Sequence, residues 1–339
     1  MRVLLLCWLL VVSLVAESRT FLDVHDKEIV LPEKLTRVFT AAPPISFLLY
    51  VIDDSSLIGV NFPQKNKSNK NGEKFLSKHF MGLPVLGTWH GNSVPNIETI
   101  LEAKPELIVT WDTPLLNKKV MKDLDKISIP AIKVNIDDAR NYPEVLRYLG
   151  KVFDKEERTS VLANLAQRYI NEIDQFTKTI PLDKKVKVYY AEGEDGLMTD
   201  CDKSFHTEAF SLAGADLVHK CTQSTILGLQ KVSFEQILTY NPDVIMVQEG
   251  YFFKNISKDK NWKTLRAVKE GRVYLIPNTP FNWVDRPPSF MRILSAHWIA
   301  SKIYPDRYCH SIKEKVEEFY KVFFNVEIND EDMKKYFYL

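Results

Sequence analysis

Short continuous apolar runs alternate along this chain with stretches whose apolar residues recur every three or four positions. The runs "RVFTAA", "SLIGVN", "ELIVTW" and "AIKVN" in the first half, and "KVKVYYAE", "DVIMVQ" and "RVYLIP" in the second, read as buried strands. Residues 46–52, 97–103 and 115–127 read as helices between them. Strands that alternate with helices in this way build α/β units with mainly parallel sheets, and the alternation occurs twice. Between the halves, 141–181 is the least strand-like part. Leu162, Leu165, Ala166, Tyr169, Ile170, Ile173 and Phe176 recur there at helical spacing, and Pro181 closes the segment. A helix starting near Asp154 would run roughly 26 residues, or about 40 Å, enough to bridge two lobes; a long helix packed on one domain has the same periodicity. The expected organisation is a leader over 1–18, a first α/β lobe over 19–140, a connecting helix over 141–181, a second α/β lobe over 182–304, and a terminal helix and tail over 305–339, to which no function is assigned.

One unit is written twice. "PNIETILEAKPELIVTWD" and "VSFEQILTYNPDVIMVQE" align without gaps at an offset of 137 residues, placing Glu98 on Glu235, Ile100 on Ile237, Leu101 on Leu238, Pro105 on Pro242 and Ile108 on Ile245. Each copy reads as a short helix capped by Asn96 or Ser233, stopped by the proline and leading into a buried strand. The demands of any helix-strand unit explain the apolar matches. They do not explain the matched glutamates, which either complement the helix dipole in the first turn or present two anionic knobs, one per lobe, to a partner.

The chain has 339 residues, 45% of them apolar and 26% charged, a balance that fits a folded protein of two domains. A formal net charge of +1 gives no electrostatic reason to expect nucleic acid. After Arg2, "VLLLCWLLVVSLVA" is too short to span a bilayer comfortably and ends in small residues, as a cleaved secretory signal does; cleavage after Ala16 or Ser18 fits, and a short membrane anchor is the other reading. Cys201, Cys221 and Cys309 follow the leader. In an oxidising compartment Cys201 and Cys221 are candidates to close a loop of about twenty residues, worth on the order of 3 kcal/mol. No Cys-x-x-Cys occurs and the seven histidines are scattered, so a bare metal ion held in a direct protein cage is not expected.

"GTWHGNSVPNIETILEAKPELIVTW", "SFHTEAFSLAGADLVH", "VSFEQILTYNPDVIMVQ", "NWKTLRAVKEGRVYLIP" and "DRPPSFMRILSAHWIASKIYPD" occur in this order. In that order and spacing they resemble the substrate-binding proteins of bacterial ABC importers for iron-siderophore complexes, vitamin B12 and related metal chelates. The resemblance implies two Rossmann-like lobes with parallel sheets joined by one long, rigid α-helix, with a ligand cleft between lobes that close only modestly. It implies a periplasmic, monomeric protein with no resident cofactor, which captures a complex of iron, nickel or cobalt and delivers it to the ABC permease without chemistry. Acidic residues at the lobe tips dock on the permease in such proteins, and Glu98 and Glu235 occupy the matching positions. "GTWHGN" is similar to the corresponding segment of vitamin B12-binding members, although the Trp-to-Glu distance is longer here.

Open α/β sheets bind ligands at strand ends and in the loops that follow. By that rule the candidate ligand residues are Trp89 and His90 in "TWHGN", Trp111 and Tyr190 at the ends of predicted strands, Tyr251 after another, and Trp283 and Arg286 in "FNWVDRPPS" beside Phe281. Aromatic side chains suit a bulky chelate, and core burial is the competing role for each of them. Arg286 suits an anionic group held bidentately or an ion pair with Asp285. His90 and His206 suit completion of a chelated metal's coordination, while Glu208, beside His206, fits a helix-terminus charge. An exported metal-dependent enzyme is the rival class. No nucleophile elbow, phosphate-binding glycine loop or His-Glu-x-x-His motif supports it.

Overall fold

The computed structural model describes residues 18–23, 27–63, 72–89, 95–115, 122–123 and 126–339. His90, most of the leader and most of the helix expected over 115–127 lie outside these residues. Strands β1 (Ser18–Leu22) and β2 (Glu28–Pro32) pair antiparallel as an opening ribbon. Each half then builds a parallel sheet. In the first, β4 (Leu107–Trp111) lies between β3 (Val38–Thr40) and β5 (Ala131–Val134). All of β4 is buried, as an apolar strand covered on both faces must be. In the second, β6 (Lys187–Ala191) is flanked by β8 (Asp216–Leu217) and β10 (Val244–Val247), and β11 (Val273–Leu275) pairs with β10 at the edge. β7 (Met198–Thr199) and β9 (Gln230–Lys231) form a small antiparallel ribbon beside this sheet.

"SLIGVN", expected as a strand, makes only single bridges, Val38 to Leu57 and Val60 to Val85. Between those bridges Leu86 packs directly on the backbone of Gly59, where a Cβ would lie 2.4 Å from Leu86 Cγ.

The helices carry the packing. α1 (Pro43–Asp53) starts on a Pro-Pro pair and is buried over nine residues, and α2 (Ile97–Glu102) is the helix of the first repeat copy. Between the lobes, 141–181 forms two helices rather than one. α3 (Tyr142–Phe153) ends at Asp154 in the left-handed conformation, φ 53°, and α4 (Glu156–Lys178) runs 23 residues, burying Leu162, Leu165, Ala166, Tyr169, Ile170 and Ile173. In the second half follow α5 (Glu208–Leu212), α6 (Phe234–Tyr240) of the second copy, α7 (Gly250–Asn255), α8 (Met291–Ile303) and α9 (Ile312–Phe324).

The terminal segment crosses back to the first lobe. Arg158 on α4 donates to Val51 O at 3.1 Å, Val322 O at 2.6 Å and Phe323 O at 2.8 Å, tying together the carboxyl ends of α1 and α9. Phe75 meets Tyr320 and Tyr336 edge-on, and Phe337 packs 5.4 Å from Trp283. One apolar core therefore runs continuously through both lobes and the tail.

The repeat is real in three dimensions. Asn96 Oδ1 caps α2 and Ser233 Oγ caps α6. Lys104 and Asn241, aligned, both take the left-handed conformation that ends each helix, at φ 47° and 43°. The acid after each proline then anchors the neighbouring strand's entry: Glu106 accepts from Thr36 N at 2.7 Å and Asp243 from Lys187 N at 2.9 Å.

Candidate functional site

Both parallel sheets point their carboxyl ends at one cleft of about 680 Å³ between the lobes. The first lobe contributes Ser46 and Phe47 from α1, just beyond β3, together with Asn61 and Phe62. The second contributes Gln248, Glu249, Gly250 and Tyr251 after β10, and Asn278, Phe281, Asn282 and Arg286 from the loop after β11. Phe47 and Phe281 stack across the lobes with centroids 3.7 Å apart and planes 10° apart. The cleft's amides are held from behind. Asn61 Nδ2 donates to Thr40 O at 2.8 Å and Gly87 O at 2.9 Å while its Oδ1 accepts from Ser46 Oγ at 2.7 Å. Gln248 Oε1 accepts from Tyr190 OH at 2.9 Å, which leaves its amide nitrogen as the group with hydrogens to offer a ligand. Burial raises the Glu249 carboxyl above its ordinary value.

Beneath the second wall lies a charge network. Arg286 Nε donates to Glu192 Oε1 at 2.8 Å, Nη2 to Asp200 Oδ2 at 2.6 Å and Nη1 to Leu227 O at 2.8 Å, with Asp285 Oδ2 at 3.4 Å. Glu192, Asp200 and Asp285 are at most 1% exposed, while a quarter of the Arg286 side chain still reaches solvent. Burial pushes Glu192 well up, helped by Asp285 and Asp200 and only partly offset by Arg286. Burial also opposes the Asp285 charge, but His206 and Arg286 outweigh it and hold that carboxyl below its ordinary value. Asp200, His206 and Asp285 bring ligand-type atoms within 4.8 Å of one another. The guanidinium already supplies the positive charge a metal ion would bring there, so this cluster reads as an ion-pair network.

The candidates from the sequence divide accordingly. Tyr251 and Arg286 line the cleft. Tyr190 stands one layer behind, on Gln248. His206 is buried, Nδ1 against Asp285 Oδ1 at 2.7 Å and Nε2 against Ile226 O at 3.0 Å, so both ring nitrogens are engaged within the second lobe. Trp89, expected at the cleft from its loop, is buried beside Phe39 in the small core of the first lobe. Trp283 is buried as well, because its indole N–H reaches Tyr320 OH at 3.1 Å and its rings pack on Trp298 and Phe337. Trp111 packs 4.9 Å from Phe205 of the other lobe, beside a second cavity of about 510 Å³ that includes Asp137, Phe205 and Glu208. Glu208 does more than sit at a helix terminus. It accepts from Ala139 N at 2.8 Å and pairs with buried Arg292, whose Nη2 donates to Ile136 O at 2.6 Å, so the pair latches the second lobe to the start of the connector. Glu98 and Glu235 are exposed on α2 and α6. Cys201 and Cys221 are joined in a disulfide. Sequence reasoning missed Ser46, Phe47, Asn61 and Gln248. Asn61 and Gln248 did carry a signal, each being the polar residue that closes an apolar run.

The sequence profile of the periplasmic binding proteins matches residues 70–280. The chain belongs to the periplasmic binding protein family. An ABC transporter solute binding protein from Sulfurospirillum deleyianum superposes on it with a TM-score of 0.92 at 63% identity, covering 95% of this chain and 99% of that one. Molybdate-binding protein MolA of Haemophilus influenzae is 24% identical over 91% of each chain. The Fe(3+)-citrate-binding protein YfmC of Bacillus subtilis is 25% identical, over 76% of this chain and 79% of its own. This periplasmic binding protein thus has two-lobed relatives along almost its whole length, and among its described residues no helix is long and apolar enough to cross a membrane.

Proposed function

We propose that this periplasmic binding protein is exported by its leader, captures a metal chelate in the inter-lobe cleft and delivers it unchanged to the permease of an ABC importer. The observation that carries the reading is the make-up of the cleft: walls from both lobes, an aromatic floor of Phe47 on Phe281, and amides fixed from behind at Asn61 and Gln248. Such a surface holds a ligand by shape and by hydrogen bonds from fixed amides, with Arg286 at its edge. Among the described residues that line it, no nucleophile and base stand paired as turnover would require. The ligand on this reading is an iron-siderophore complex or another chelate of iron, nickel or cobalt, with a corrinoid as the alternative. Glu98 and Glu235 serve as the docking points on the permease, one per lobe.

The test is purification from the native host followed by metal analysis and mass spectrometry, then titration of the emptied protein with ferric siderophores, ferric citrate, nickel chelates, molybdate and cobalamin. Saturable binding that raises the melting temperature and leaves the compound intact supports the proposal. Conversion of the compound points to an enzyme, and silence across the panel sinks chelate capture.

A further inference from the structure

The two repeat helices share more than their glutamates. Burial runs in phase along α2 and α6: Ile100 and Ile237 are 0% exposed, whereas Leu101 and Leu238 are each 47% exposed. The surrounding surface has diverged, with Thr99 against Gln236, Glu102 against Thr239 and Ala103 against Tyr240. What the exposed faces keep in common is Glu98 with Leu101 and Glu235 with Leu238, pairs three residues apart and hence neighbours on a helix surface. Packing explains the retained isoleucines. It does not explain a leucine held half in water at both aligned positions, and although one exposed leucine is ordinary, a matched pair beside matched acids is not.

We propose that each tip docks through a glutamate-leucine pair, the carboxylate meeting a basic side chain of the permease and the leucine entering an apolar socket beside it, with the permease presenting that socket twice. This rests on the docking reading of Glu98 and Glu235 and assigns the short-range part of the contact to the leucines. A rim carboxylate steers association and is weakened by salt, whereas apolar burial acts at contact and is not.

The experiment uses the permease and ATPase whose deletion abolishes uptake, reconstituted in nanodiscs, with binding of the full mature protein measured at low and high salt. Leu101→Ser and Leu238→Ser are each expected to weaken binding about fivefold at either salt concentration, and together roughly twentyfold. Unchanged melting temperature and ligand binding show that these variants remain folded. Glu98→Arg and Glu235→Arg are expected to weaken binding chiefly at low salt. Leucine variants that bind like the parent while the glutamate variants weaken would overturn the leucine role and leave docking intact. No loss from either class would overturn the docking reading itself, and a loss confined to one lobe would overturn the doubled socket.

Discussion

Replacing Arg286 with glutamine tests whether the cleft rests on the charge network beneath it. The parent guanidinium is the cation shared by three buried acids, bonding Glu192 at 2.8 Å and Asp200 at 2.6 Å and lying 3.4 Å from Asp285, the one whose charge it and His206 hold. All three acids are essentially sealed from water. The glutamine retains volume but no charge, leaving His206 as the network's remaining basic group. Removing one partner of a buried ion pair typically costs about 3–5 kcal/mol, because the other charge stays buried without compensation. At about 2–4 °C per kcal/mol, that is a drop in melting temperature of roughly 6–20 °C. The pH dependence has a definite sign. His206 and Arg286 depress the Asp285 value in the folded state, so its contribution is present above the ordinary carboxylate range and is lost as pH falls through the folded value. The variant's deficit must therefore be larger at about pH 7.5 than at about pH 5, where protonation relieves the uncompensated acids. Urea unfolding followed by fluorescence of the buried tryptophans measures it at both pH values. A deficit below about 1 kcal/mol, or one equal at both pH values, would refute the view that Arg286 neutralises the cleft's foundation.

Three further outcomes follow from the same structure. Burial pushes the Glu208 carboxyl up to about 7 despite Arg292, so the native parent holds a proton that the unfolded chain has already released. Its stability must fall as pH rises from about 4.5 to 7, and Glu208→Gln should gain on the parent by about 1–3 kcal/mol across that window; parallel unfolding curves would contradict this. Replacing Cys201 and Cys221 by alanine reopens a loop with a sequence separation of 20 and should cost about 3 kcal/mol by urea unfolding in non-reducing buffer. Phe337→Ala removes a fully buried ring from between Trp283 and Tyr320 and should cost about 3–5 kcal/mol, against almost nothing if the tail were a passive appendage.

The elements most visible in the sequence were those governed by one local rule. The runs around Ile108, Tyr189 and Ile245 became central strands because continuous apolar sequence is what a doubly covered strand requires. The capped helices of the repeat were legible for the same reason. The rule failed in "SLIGVN", whose neighbours Val38 and Val85 meet it at one position each, a matter of partners that the run itself does not carry. Asp154 split the connector through a left-handed turn that apolar periodicity does not register. The cleft was legible only in part. Position at a strand end located Tyr251, but it sent Trp89, Trp111 and Trp283 toward the ligand when large indoles at those points fill cores shared with distant residues. The second wall of Trp283 is built by Tyr320 and Phe337, and no local pattern links that tail to the loop before α8. Asn61 and Gln248 were overlooked because an amide closing a strand looks like the start of any loop until its backing partners, Thr40 and Tyr190, are in place.

On the proposed function, a metal chelate occupies the cleft between the lobes. Gly250 lines that cleft, and a Cβ built on it would meet Leu275 Cδ2 at 3.9 Å, an ordinary contact, so the backbone accepts a side chain there and Gly250→Phe adds bulk at the cleft wall. The decisive measurement is native mass spectrometry with elemental analysis on parent and Gly250→Phe proteins, each emptied and then reloaded with the chelate recovered from the host. One metal complex per parent chain and none on the variant is the expected result, with the variant's ligand-free melting temperature unchanged. A variant that carries the complex as fully as the parent would place the ligand outside this cleft.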